Sequence, residues 1–98
     1  MDIEILHVAG CPNLALARAR LAEALERSGA TASVREIRVD TADEAARAGM
    51  AGSPTVLIDG RDPFATSGAT SLSCRLYATP AGIDGAPTVG QFVAVISS

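Results

Sequence analysis

Residues Ile3 to Val8 read I-E-I-L-H-V, and Gly10-Cys11-Pro12 then opens a helical stripe that runs to Ser28. Ile3, Ile5 and His7 share one face of the strand and Glu4, Leu6 and Val8 the other. A strand that is nearly apolar on both faces belongs in the middle of a sheet covered on both sides. Pro12 suits a first helical position, where its missing N–H costs nothing. Leu14, Ala17, Leu21, Ala24, Leu25 and Ser28 fall on one helical face, and Gly29 supplies the stop. Residues 32–39 form a second strand pattern, so the chain opens with a β-α-β unit. Such a crossover is parallel and right-handed, which excludes all-α and all-β folds from the start.

The remaining elements follow from local signals. Three charges in residues 32–39 mark an edge strand. Thr41-Ala-Asp-Glu44 is a capping-box pattern that opens a short helix ended by Gly49. Met50 to Pro54 turns the chain into the β-rich run Thr55 to Asp59. Gly60 to Ser71 is polar and long for an unstructured connection, which points to a lid or a mobile edge. Leu72 to Tyr77 reads as a fourth strand, hairpin-paired with the third, and residues 78–87 as a linker. Thr88 and Gln91 cap a last helix that carries Val89, Phe92, Val93 and Ile96. The expected order is β-α-β-α-β-β-α. It predicts an α/β chain, a single domain over residues 1–98, with a four-stranded mixed sheet and helices on both faces.

Composition narrows the function. The net charge is −3 and the basic residues are all arginine, so no basic footprint for nucleic acid is present. No apolar run has the length of a membrane span. The opening residues lack the pattern of a secretory leader, which predicts a cytoplasmic chain whose two cysteines are reactive, metal-binding or buried rather than a permanent disulfide.

Cys11 is the leading site candidate. At a strand-to-helix junction the helix end favours an anion, which lowers a thiol pKa and makes thiolate available as a nucleophile. His7, four residues earlier on a strand, is expected to lie about 13 Å away by rise alone and to be a partly covered sheet residue. In a regular hairpin Thr55 lies opposite about Tyr77, which places Tyr77 near Pro54. Cys74 then falls about 10 Å along the strand from that end, two strands across from Cys11. Arg61, Asp62 and Arg75 are charges of the loop and fourth strand, suited either to solvent or to an anionic partner.

The pairing of Gly10-Cys11-Pro12 with Gly52-Ser53-Pro54-Thr55 resembles the thioredoxin-like superfamily in its minimal glutaredoxin-like form, over essentially the whole chain. The stretches G-C-P, G-S-P-T, D-G-R-D-P-F and S-C-R-L-Y are similar to small thioredoxin-like proteins of high-GC bacteria, some of which carry the name alkylmercury lyase. The resemblance implies that Pro54 follows a cis peptide bond and packs against Cys11. It also implies that Pro54, flanked by Ser53 and Thr55, shapes a substrate groove; Tyr77, placed near Pro54 by the regular hairpin, either lines that groove or is a core edge aromatic. An extended substrate strand can pair with the backbone groups at that corner.

The motif departs from the family at one position. It reads Cys11-Pro12-Asn13-Leu14, with leucine where the resolving cysteine would stand. Disulfide closure within the motif is excluded, and Cys11 is left with single-thiol exchange on a protein or low-molecular-weight disulfide. Two rival readings remain. Cys11 and Cys74 together suit a soft metal ion or organomercurial chemistry, with an aspartate such as Asp62 as proton donor. Alternatively, the chain is a non-catalytic interaction domain on the same fold. No reading calls for a cofactor.

Overall fold

A computed structural model describes residues 1–98. The opening strand, β1 (Asp2–His7), is followed by helix α1 (Leu14–Ser28) and strand β2 (Ser33–Arg38). β2 pairs in parallel with β1 from Asp2↔Ser33 to His7↔Arg38, completing the β-α-β unit. Helix α1 begins at Leu14, later than Pro12. Cys11 N–H donates to the Val8 carbonyl at 3.3 Å and Leu14 N–H to the Cys11 carbonyl at 3.4 Å. These turn bonds hold residues 11–13 outside the helix, and the first α-type bond runs from Ala17 N–H to the Asn13 carbonyl at 3.0 Å. At the far end Gly29 adopts φ 65°, the left-handed stop that a glycine provides without steric cost.

Helix α2 (Ala42–Ala48) is capped by Thr41, whose Oγ1 accepts from Glu44 N–H at 3.1 Å. Strand β3 (Ala51–Ser53) and strand β4 (Thr55–Ile58) follow, separated by Pro54. β4 runs antiparallel to β1 from Ile3↔Ile58 to Leu6↔Thr55, so the main sheet has the order β2-β1-β4 with β1 central and β2 at an edge. The chain continues through β5 (Ser71–Cys74), β6 (Tyr77–Thr79) and β7 (Gly82–Asp84) to helix α3 (Val89–Ile96).

The two faces of β1 divide the core. Ile3 and Ile5 pack with Leu21 and Ala24 of α1, Val56, and Phe92 and Ile96 of α3. Leu6 packs with Val39, Ala45 of α2, Met50 and Leu57. Helices therefore cover both faces of this mixed sheet, α1 and α3 on one side and α2 on the other.

The main sheet has three strands, and this corrects the expected four. The return after β4 forms one bridge, Ile58 with Arg61, around Asp59 (φ 49°) and Gly60 (φ 82°). Pro63 then has no N–H to extend a ladder. Phe64 drops inward instead, edge-to-face against Phe92 at 5.7 Å and Tyr77 at 5.9 Å between ring centroids. Residues 60–71 are thereby tied to the core at Phe64 rather than forming a free lid. The expected strand Leu72–Tyr77 divides in two. β5 joins β3 in a separate parallel pair, while β6 forms an antiparallel pair with β7 inside the expected linker. No helix is long and apolar enough to cross a membrane.

Candidate functional site

The turn between β1 and α1 carries Cys11 as a free, half-buried thiol at the carboxyl end of the central strand. Because α1 starts at Leu14 with Asn13 as its N-cap, the helix field reaches Cys11 from a turn away rather than from within the first turn, where it is strongest. Asn13 packs against Gly85, where an added Cβ would sit 2.4 Å from the asparagine side chain. Gly85 thus lets the chain after β7 close against the thiol turn. Arg20 of α1 fastens the same chain, reaching Asp84 at 2.9 Å and the Ala86 carbonyl at 3.0 Å.

The corner Ser53-Pro54-Thr55 is brought to this turn by one bond, from Val8 N–H to Ser53 Oγ at 3.1 Å. The Ser53–Pro54 peptide bond is cis. All three residues are buried, and so is Tyr77, whose hydroxyl donates to the Pro54 carbonyl. Thr55 Oγ1 donates to the Gly52 carbonyl at 2.6 Å and accepts from Ala51 N–H at 3.1 Å. The four residues expected to contact substrate are thus buried, and their polar atoms are taken up by the protein: Ser53 by Val8 and Arg75, Thr55 by Ala51 and Gly52, and the Pro54 carbonyl by Tyr77.

Tyr77 lies near Pro54 as expected, although no hairpin places it there. Burial pushes its phenol well above the ordinary tyrosine range. The nearby Arg75 guanidinium opposes this, while the Asp62 carboxylate adds to it.

No protein-family model, curated protein or solved structure matches this chain.

Cys74 departs from its expected position. It is exposed and lies in register with Ser53, because β5 pairs with β3 instead of continuing the main sheet. It lines a cleft of about 310 Å³ with Ala51, Thr66, Ser71, Arg75 and Leu76. Cys11 lines none of the clefts, and no group of three or more His, Cys, Asp or Glu side chains converges as a ligand set. Those two thiols are the residues with soft-metal chemistry, and they stand on separate elements. The largest cleft, about 560 Å³, lies at the other end of β4 around Ile58, Arg61 and Ile96.

His7 is half-buried, with Nδ1 3.1 Å from the Val8 carbonyl, which suits its reading as a covered sheet residue. The ion pair of Arg75 and Asp62 is the feature that sequence reasoning missed. Arg75 Nη1 reaches Asp62 at 2.6 Å and Nη2 the Phe64 carbonyl at 2.8 Å, with side-chain exposures of 9% for Arg75 and 10% for Asp62. The guanidinium carbon also stands 4.5 Å over the Tyr77 ring. Arg75 is therefore an internal strut rather than an anion clamp. The string D-P-F was its signal, since Asp62 Oδ1 accepts from Phe64 N–H at 2.9 Å in an Asx turn that presents the carboxylate.

Proposed function

We propose that this chain is a single-thiol exchange protein on a thioredoxin-like scaffold, with Cys11 as its nucleophile. The carrying observation is the half-buried Cys11 thiol at the carboxyl end of central β1, in a turn bonded to the Ser53–Thr55 corner. In α/β sheets, chemistry collects outside the carboxyl ends of the strands.

The reaction balances without a cofactor. The Cys11 thiolate attacks one sulfur of a disulfide, forming a new S–S bond to Cys11. The departing sulfur takes the electron pair and then a proton from solvent. Leu14 packs against the core and offers no second thiol, so an external thiol must attack the mixed disulfide and restore Cys11. Ser53, Pro54, Thr55 and Tyr77 hold the corner in place.

The test is exchange with dithiodipyridine, followed by release of thiopyridone, in Cys74→Ser and Cys11→Ser proteins. Cys74→Ser is expected to retain one reacting thiol and to turn over with added glutathione or a reduced protein dithiol. Cys11→Ser, which keeps the exposed Cys74, is expected to release at most one equivalent of thiopyridone and to lose turnover above the rate of glutathione alone. Turnover that persists above that rate in Cys11→Ser, or is absent in Cys74→Ser, removes the proposal. In the second case the non-catalytic reading takes its place.

A further inference from the structure

β3 is tied to the start of the thiol turn by the bond from Val8 N–H to Ser53 Oγ. An extended peptide disulfide presenting a sulfur to Cys11 would align its backbone there, because an unpaired edge recruits a strand through main-chain bonds. That edge is already filled. Ser71 N–H donates to the Met50 carbonyl at 2.9 Å and Arg75 N–H to the Ser53 carbonyl at 3.0 Å. Thr55 Oγ1 holds the Gly52 carbonyl, and the Tyr77 hydroxyl holds that of Pro54. The chain from Ser71 to Tyr77 supplies three of these four donors.

The occupying strand is lightly held between firm ends. Leu72 packs partly against the α2-side core, and Arg75 is locked to Asp62. Between them Ser73 and Cys74 are exposed, and the β3–β5 ladder carries a register irregularity. A short, irregular ladder with little side-chain burial belongs to the low-stability end of a structure and can open alone.

We propose that the segment from Ser71 to the Arg75 amide is an internal strap on the strand edge that ends at the Ser53 corner, and that an extended peptide disulfide must displace it to dock, lifting the Arg75 N–H off the Ser53 carbonyl while the guanidinium stays on Asp62. This rests on Cys11 being the exchange nucleophile. A small disulfide needs no edge and reacts whether the strap is closed or open. A peptide disulfide binds only the open fraction, so its apparent affinity falls by that fraction.

Gly52 offers a way to force the strap off. Its φ is 103°, and an added Cβ would lie 2.9 Å from Arg75 Cβ and 3.0 Å from the Ser73 carbonyl oxygen. Gly52→Ala drives β5 away from β3.

The experiment uses a Cys74→Ser background, so that Cys11 is the one thiol, and two probes with the same leaving group. One is dithiodipyridine. The other is an extended decapeptide carrying a thiopyridyl disulfide on a central cysteine. Gly52→Ala is expected to raise the peptide rate relative to the small-probe rate by about tenfold, the gain for a strap open in about a tenth of molecules. An unchanged ratio in a folded Gly52→Ala protein overturns the strap and leaves the exchange reading intact. If Cys11 fails to react with dithiodipyridine, both fall together.

A second measurement does not depend on that variant folding. In Cys74→Ser, the Arg75 amide is expected to lose hydrogen-exchange protection when Cys11 carries the decapeptide, and to keep it when Cys11 carries thiopyridine alone. Retained protection in the peptide adduct overturns the proposal.

Discussion

Tyr77, the chain's single tyrosine, sits 4% exposed against Phe64, under the Arg75 guanidinium, with its hydroxyl on the Pro54 carbonyl. Burial raises its phenol above the ordinary value, so the neutral form is favoured in the folded state. The sign follows from proton counts. Above the unfolded tyrosine value of about 10, the unfolded chain releases a proton that the folded one retains, and stability falls with rising pH. The contribution is whole below about pH 10 and is lost progressively toward the raised folded value. Tyr77→Phe is expected to remove this alkaline loss. At neutral pH it should cost about 1–3 kcal/mol, because it leaves the buried Pro54 carbonyl without a donor. Urea midpoints of both proteins, measured from neutral to alkaline pH, check the two effects together. A wild-type and variant pair with parallel pH profiles would contradict the reading of Tyr77 as a buried phenol.

At the scale of elements, the helices were the most legible parts. Thr88 and Gln91 form the expected capping box at the start of α3, with Gln91 N–H on Thr88 Oγ1 at 3.1 Å and Thr88 N–H on Gln91 Oε1 at 2.9 Å. The Gln91 amide also donates to the Ala78 carbonyl at 2.9 Å, tying the helix start to β6. Thr88→Ala is expected to cost about 1 kcal/mol, read as a lower urea midpoint with an unchanged denaturant slope. Gly29 and Gly49 stop α1 and α2 where expected, and the charged residues of β2 do mark an edge. The short strands were less legible. Ala51–Ser53 carries no alternating pattern, and β5 holds serines at two of its four positions, so neither announces its partner. β7 was hidden in the linker because its pairing with β6 depends on the turn at Pro80-Ala81, which leads into Gly82 (φ 116°), and not on hydrophobicity.

Over the whole molecule, Phe92 connects what the elements do separately. It is fully buried between α1, β1 and β4 and receives Phe64 from the loop after β4. Phe92→Ala is expected to cost about 3–5 kcal/mol, through lost transfer energy and the cavity left behind. Against a total of about 5–15 kcal/mol for a chain of this size, that should leave a substantial unfolded population at modest urea concentrations, seen by circular dichroism. A variant with near-native stability would show that the loop repacks to fill the space.

The β-α-β opening, the central place of β1, the helix limits near Gly29 and Gly49, and the cysteine at the strand end were all written in local pattern. Period, caps and glycine stops act within a few residues, so a linear reading reaches them. The path from Gly60 to Gly85 was not of that kind. It follows from Asp62 finding Arg75, Phe64 finding Phe92, and Tyr77 finding Pro54, contacts between residues far apart in the chain. Along that path Cys74 came to lie in register with Ser53. Which residue could be the nucleophile was thus a property of the sequence. What stands beside it was decided by tertiary structure, because buried charge and aromatic surface are satisfied only by partners that folding brings together.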